Sequence, residues 1–502
     1  MKVQKKNLCH TCRKRKLQCD GKFPACSQCL HSKRKCGGYP EALFVPFKAT
    51  RSGREEETSY KSPTLQSGLA STPTPTDSVL STSNCEEVPN ASHEMIGSSK
   101  DSSSMSHQRL TGLDTTQEII FIILRDFVPL DGTGFETPTS LAQSPRVCGS
   151  WVTALPELSI DTIGPLAECL QSASSALALS ITAYRSITNM VNFISIQYEK
   201  SLHLLAQNLA VSKGAYRNEL VASFMCLALV EVLSPMHQSS WLIHVEGVSR
   251  MFQLSPPDIF ASGVEHTLFI GFRPLLILQA FILRKATFLA ENSWVHTPFQ
   301  NYHASQLQSL LRVAACIPGI LESVDVTMHN PYTATIEIAQ DQITELVNAK
   351  ARLEAWCCSC LKTSSRLLYW RRSIEVEDER KLDLWWFQDL STANVFVYLW
   401  AFQLICLLNI HCIFEMYPEL ERLIDNATYD AKGVREICLE LSVQIYQSME
   451  YILQDEFMLY GISSTRFPLQ TACGALNLDA KGRNILKSLD QTIIARCKMK
   501  DA

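Results

Sequence analysis

From about Thr116 onward, apolar residues return with the period of an α-helix. Tyr198, Leu202, Leu205 and Leu209 fall at i, i+4, i+7 and i+11, along one helical face. Further apolar segments run over 219–233, 238–254, 274–290, 341–366, 393–414, 434–453 and 480–497. Pro235 stops the first of these and Pro256-Pro257 the second. Strand-type alternation is scarce. The pattern therefore predicts a mostly α protein with a large all-helical body over 116–499, as one domain or two closely packed ones.

One segment has the length of a membrane span. Ala393 to Phe414 carries no charge over 22 residues. Gln403, Asn409 and His411 interrupt it, Glu415 follows at once, and no basic flank marks an inside face. The expectation is a buried helix in a large core, with no membrane partner.

Ahead of the body the pattern changes. Ser, Thr and Pro supply 28 of the 65 residues in 52–116, and no aromatic residue occurs between Lys61 and Ile120. Such a segment buries too little apolar area to offset its ordering entropy, so 49–115 reads as a disordered linker. Ser62-Pro63, Thr72-Pro73 and Thr74-Pro75 are phosphorylation candidates, with a plain tether as the simpler reading. No apolar heptad follows the N-terminal cysteines, so no coiled coil is expected there.

The first 36 residues hold eleven Lys/Arg and one acid, Asp20, a net of about +10. The whole chain is at −4, so the remainder carries about −14. A basic arm on an acidic body suggests a polyanionic partner. The start, Met1-Lys2-Val3-Gln4-Lys5-Lys6, has no apolar secretion segment, so the nineteen cysteines read as thiols in a reducing compartment.

Six of those cysteines, Cys9, Cys12, Cys19, Cys26, Cys29 and Cys36, follow C-x2-C-x6-C twice, once over 9–19 and again over 26–36. The repeat suggests two halves about a pseudo-twofold axis. Zinc prefers four thiolates in a tetrahedron. One zinc would leave two cysteines over, whereas two zincs need eight bonds from six sulfurs, so two sulfurs must bridge. Equivalent positions should do so, and Cys9 and Cys26 are the natural pair. One Zn2+ then has Cys9, Cys12, Cys19 and Cys26; the other has Cys26, Cys29, Cys36 and Cys9. The simpler alternative is unligated thiols or disulfides. Without metal this 1–48 domain has little to fold around.

The run from Cys9-His10-Thr11-Cys12-Arg13-Lys14-Arg15-Lys16-Leu17-Gln18-Cys19 through Asp20-Gly21-Lys22-Phe23-Pro24-Ala25-Cys26-Ser27-Gln28-Cys29 resembles the fungal binuclear zinc cluster transcription factors. The resemblance implies two Zn2+, two short helices, a nuclear location and promoter DNA as partner. It also implies that the end of the first helix reads a CGG triplet, with Lys16 as base reader beside Arg15, and that Pro24 is the loop proline. Gln18 departs from the family, where a basic residue is common. Chemistry alone agrees, since Lys and Arg are the usual donors to guanine N7 and O6. Arg13, Lys14, Arg15, Lys16, Lys22, Lys33, Arg34 and Lys35 are the candidate DNA contacts, although each alone is more often a solvated charge. Lys5, Lys6 and the 13–16 run could also serve nuclear import.

A broader resemblance covers the body. Cys36-Gly37-Gly38-Tyr39, with Leu43 and Phe47 downstream, resembles the exit segment of one branch of these regulators. Trp241, His244 and Gly247 look like its W-x2-H-x2-G helix. Phe272-Arg273, Phe288-Leu289 and Trp294 fit its next block, and Arg466-Phe467-Pro468-Leu469 its closing motif. Together these imply an all-helical regulatory and dimerisation domain.

Signs of an enzyme are weak. His244-Val245-Glu246 matches the H-x-E of zinc deaminases, but no P-C-x-x-C follows. Cys357, Cys358 and Cys360 lack a partner pair at zinc spacing and read as small core hydrophobes. His244 reads as a hydrogen-bonded core histidine. Gly132-Thr133-Gly134 lacks the third glycine of a dinucleotide loop, and no G-x-S-x-G occurs. Acids and aromatics mix over 375–387, as in activation segments, though an amphipathic stretch of the body is the simpler reading. The sequence thus points to a DNA-binding RNA polymerase II regulator, a candidate homodimer, that engages the transcription machinery and controls a metabolic gene cluster. The alternatives are an enzyme or metabolite-binding helical protein with a basic zinc-binding targeting tail, and a structural chromatin adaptor.

Overall fold

The computed structural model describes residues 11, 14–15, 27–32, 34, 116–128, 150–160, 164–186, 190–234, 240–329, 335–376, 380–420 and 430–487. The expected linker, 49–115, lies outside these residues, and so does the end of the body, 488–499.

The described structure is mostly α. A short helix, α1 (Ser27–His31), belongs to the cysteine-rich segment. The body begins with α2 (Thr116–Phe127), α3 (Leu155–Ile160), α4 (Pro165–Ser186), α5 (Val191–Ser212), α6 (Asn218–Leu233) and α7 (Ser240–Gln253). Next come α8 (Gly263–Leu283), α9 (Asn292–His296), α10 (Gln306–Ala314), α11 (Ile317–His329) and α12 (Ile336–Thr363). After a hairpin follow α13 (Leu390–Met416), α14 (Ala431–Gln447), α15 (Met449–Ile452) and α16 (Met458–Leu476). In the first half α4 packs against α5, α6 and α2, and α7 packs on α6. In the second half α13 is wrapped by α12, α14 and α16.

The long uncharged segment is α13. Twenty of its 27 residues are buried, with apolar side chains on every face. One of its polar interruptions is held by two hydrogen bonds. Asn409 donates to the Ile405 carbonyl at 2.7 Å and accepts from Arg284 Nη2 at 2.7 Å. Arg284 also grips Asp325, so one guanidinium ties together α8, α11 and α13. Asp389 caps α13 by accepting from the Thr392 N–H at 2.7 Å, satisfying one of its unpaired first-turn donors.

Three expectations need correction. The segment beginning at Pro274 is instead the second half of α8, which starts eleven residues earlier and runs through the proline. Proline removes the N–H that would bond the Ile270 carbonyl and normally breaks a helix. Here Gln308 Nε2, from α10, donates to that carbonyl at 2.7 Å. A tertiary contact thus replaces the missing local one.

The second correction concerns α5. Leu205 is buried as expected, but Leu202 is 39% exposed. The inward face carries Ile194, Ser201, Leu205 and Asn208, offset by one position from the expected stripe. Asn208 is satisfied there, donating to the Pro165 and Leu204 carbonyls.

Third, the body is not strictly helical. Tyr369–Val376 (β1) and Arg380–Phe387 (β2) form an antiparallel hairpin, with Tyr369 opposite Phe387 and Arg371 opposite Trp385. Aromatic residues favour a half-buried pleated surface. Phe387 is buried, and Tyr369 sits with its ring 4.5 Å from that of Phe396 on α13. The mixed acid and aromatic stretch is therefore a strand pair docked on the core. The acids at 377–379 lie outside the described residues.

Candidate zinc and DNA-contacting centre

Two short helical turns organise what is described of the cysteine-rich segment. In the first half Thr11 and Lys14 are helical, and the Arg15 N–H donates to the Thr11 carbonyl at 3.3 Å. In the second half the Ser32 N–H donates to the Gln28 carbonyl, also at 3.3 Å. Both ends of this bond move by the spacing that carries Cys9 to Cys26 and Cys12 to Cys29. The sequence repeat is therefore a structural repeat, with each C-x2-C followed by the same turn.

The two turns carry different side chains at their last described position. Ser32 Oγ folds back onto the Gln28 and Cys29 carbonyls at 2.8 and 3.1 Å, and the Arg34 N–H donates to the Cys29 carbonyl at 3.0 Å. These bonds close α1 on itself, satisfying carbonyls that a helix end leaves open. At the position equivalent to Ser32 the first half has Arg15. Lys14 and Arg15 are both exposed, as is Arg34. The first turn thus presents two cations to solvent where the second presents His31 and a self-capped serine.

Cys29 is buried, at 2% exposure, in this short charged segment. A thiol withdrawn from water amid Lys and Arg fits a zinc ligand, because thiolates bound to Zn2+ offset the surrounding positive charge. Cys9, Cys12, Cys19, Cys26, Cys36, Arg13, Lys16, Lys22, Lys33 and Lys35 lie outside the described residues.

The motif residues of the body prove to be packing positions. His244 is 4% exposed, and its Nε2 is 2.7 Å from the Tyr198 hydroxyl. Burial pushes its pKa down to about 4, with Glu231 opposing the shift. Glu246 points elsewhere, to Arg250 Nε at 2.9 Å and Gln279 Nε2 at 3.4 Å, so the H-x-E pair does not converge. A side chain at Gly247 would place its Cβ 2.9 Å from the Phe224 ring, so the glycine lets α7 close on α6. Phe288 meets Trp294 edge to face at 4.7 Å, and Phe467 packs among Phe281, Tyr398 and Phe402. Of the three α12 cysteines only Cys360 is a core residue. Cys358 is exposed, and Cys357 is half-buried with its thiol pushed up to about 11 by burial. That corrects the expectation of three core hydrophobes; the sequence does not show that one face of α12 looks outward there. Among the described residues no three His, Cys, Asp or Glu side chains come together as a metal site. The polar hub that sequence reasoning missed is Gln308 with Arg273, whose signal was Pro274 inside an apolar run.

Residues 8–43 match the fungal Zn(2)-Cys(6) binuclear cluster domain. The N-terminal segment is such a domain, of the zinc- and DNA-binding class found in fungal transcription factors, and it binds two zinc ions. The chain is 30% identical over 97 residues to an uncharacterized protein of Emericella nidulans, covering 19% of this chain and 21% of that one. It is 41% identical over 69 residues to an uncharacterized transcriptional regulatory protein of Schizosaccharomyces pombe, covering 14% of this chain and 13% of that one. The chain thus spans about a fifth or less of the length of these curated relatives. No solved structure matches it.

Proposed function

We propose that this protein is a nuclear, sequence-specific regulator of RNA polymerase II transcription that reads CGG-type triplets through its zinc cluster. In this reading Cys9, Cys12, Cys19, Cys26, Cys29 and Cys36 hold the two zincs, with Cys9 and Cys26 bridging. Lys16 donates to guanine, and Arg13, Lys14, Arg15, Lys22, Lys33, Arg34 and Lys35 face phosphates. The domains are the cluster over 1–48, a tether over 49–115 and the regulatory body over 116–499. The body bears the homodimer contact and the contact with the transcription machinery, and the targets form a metabolic gene cluster.

The observation that carries this reading is the repeated turn with unequal ends. A pseudo-symmetric pair of turns, one tipped with exposed Lys14 and Arg15 and the other closed by Ser32, supports a cationic face at the first half of the two-metal module, with exposed Arg34 the described cation of the second half. An acidic body repels DNA, so that face supplies nearly all the affinity. A regulator, rather than an enzyme, is supported by a metal-held cationic module beside body motifs that serve packing. A genome-wide occupancy map tests the proposal. CGG-containing motifs enriched at promoters, and lost in the Cys26→Ser chain, are expected. Occupancy without any shared motif contradicts it.

A further inference from the structure

Arg273 stands in the middle of α8 and is fully buried, at 0% exposure. Its Nη1 donates to the Gln308 carbonyl at 3.0 Å and to Gln308 Oε1 at 2.9 Å. The Phe299 ring lies 5.3 Å from its Cζ. The other edge of the guanidinium is different: both Nε and Nη2 are buried without a hydrogen-bond partner. Those two groups form the side-on edge with which arginine grips two oxygens of one carboxylate or phosphate.

A second cation lies beside it. Arg312 is four residues beyond Gln308 on α10, and its Nε is likewise buried and unpartnered. Arg312 is half-buried, so it is the member of the pair in touch with solvent. The two arginines repel each other: Arg312 adds to the burial that lowers the pKa of Arg273 to about 9. Among the described residues neither forms an ion pair. Two other withdrawn guanidiniums in this fold are paired, Arg284 with Asp325 and Arg435 with Asp479. Buried charges are ordinarily paired, and unpaired donors in a low-dielectric interior are costly.

We propose that the free Nε–Nη2 edge of Arg273, with Arg312 beside it, is a binding site for the carboxylate or phosphate group of a small molecule. Such an oxyanion supplies two acceptors to Arg273, a third contact to Arg312 and the missing negative charge. The burial of Arg273 favours a compact group over a polymer. The site lies where α8 meets α10, so occupancy would stiffen the helix pair that Gln308 already joins. It does not depend on the DNA-binding reading.

The test uses the full-length zinc-loaded protein in chloride buffer, titrated with inorganic phosphate or acetate at constant ionic strength. Unfolding temperature and titration calorimetry are the two readouts. The unfolding temperature should rise saturably with at least one probe, with heat of binding at one site per chain. Saturation by phosphate but not acetate marks a phosphate site, and the reverse marks a carboxylate site. Arg312→Gln, a half-exposed substitution that should fold, should raise the half-saturating concentration at least tenfold. Arg273→Lys keeps the charge but loses the side-on edge, and should abolish saturation if it folds; if it does not, Arg312→Gln decides. A linear rise of equal slope in wild type and Arg312→Gln, or no saturable heat with either probe, overturns the proposal.

Discussion

Replacing Gln308 with alanine should cost the body roughly 2.5–4 kcal/mol of unfolding free energy, an unusually large loss for one polar side chain. The amide makes two distinct contacts. Its Nε2 donates to the Ile270 carbonyl at 2.7 Å, the acceptor that Pro274 leaves open in α8. Its Oε1 accepts from the buried Arg273 Nη1 at 2.9 Å. Leaving a buried carbonyl unsatisfied costs about 1–3 kcal/mol, and a hydrogen bond to a charged group contributes about 1.5–3 kcal/mol. The Gln308 backbone carbonyl still accepts from Arg273 after truncation, which keeps the sum toward the lower end. Gln308→Glu separates the two contacts. It forfeits the donor to Ile270 but offers Arg273 a carboxylate, so it should lose less than Gln308→Ala. Urea unfolding followed by far-ultraviolet circular dichroism at pH 7 measures both, with a lower midpoint and an unchanged slope expected. A loss under about 1 kcal/mol for Gln308→Ala would refute the account of how α8 tolerates its proline.

His244 is neutral in the fold, with a pKa near 4, and protonates near 6.5 when unfolded, so its contribution is intact above pH 6.5 and erodes as pH falls toward 4. The full erosion is about 3 kcal/mol, and a His244→Gln chain should show a flatter stability profile over that window; parallel profiles would rule this out. Gly247→Ala drives a methyl against the Phe224 ring and should cost about 1–3 kcal/mol in the same unfolding assay, with most of the loss recovered when Phe224→Leu is added; no loss would mean the α6–α7 approach is looser than described. A peptide of residues 1–50 should bind two zinc ions and fold only with them. In metal analysis, Cys26→Ser should disturb both metals and Cys12→Ser only one, whereas a single zinc per wild-type peptide would overturn the bridged arrangement.

The cluster was legible because its chemistry is local. Six cysteines at repeated spacing leave few ways to satisfy zinc, and the identical bond in each half follows from that spacing. The helical body was legible wherever a single face or a complete apolar run announced itself, as in α6 and α13. Contacts between segments distant in sequence decided the rest. Pro274 looks like a helix start until Gln308, 34 residues on, supplies the missing donor. The inward face of α5 includes Ser201 and Asn208, polar residues that pattern reading assigns to solvent; a hydrogen bond to Pro165 lets Asn208 turn in. The hairpin was hidden by charge, because Arg371, Arg372, Glu375 and the run from Glu377 to Asp383 surround its aromatic residues in the sequence. Arg371 and Arg372 lie over the rings of Trp385 and Trp386, at 4.9 and 4.7 Å, so charges that looked like solvated positions shield aromatic surface. The unpaired edge of Arg273 has no sequence signature, since burial and partners exist only in the assembled fold.

The central claim is that the cationic turn of a two-zinc module reads DNA sequence, and a binding titration on CGG and scrambled duplexes at several salt concentrations tests it most directly. Wild type should prefer the CGG duplex. Lys16→Ala should lose roughly 1–3 kcal/mol on CGG and narrow its lead over the scrambled duplex. Lys33→Ala or Lys35→Ala should weaken both duplexes alike and lower the salt slope by about one unit per lost phosphate contact. If Lys16→Ala weakened both duplexes equally, Lys16 would be a phosphate contact and base reading would pass to Arg15. If wild type bound both duplexes equally at every salt concentration, the protein would not be a CGG reader.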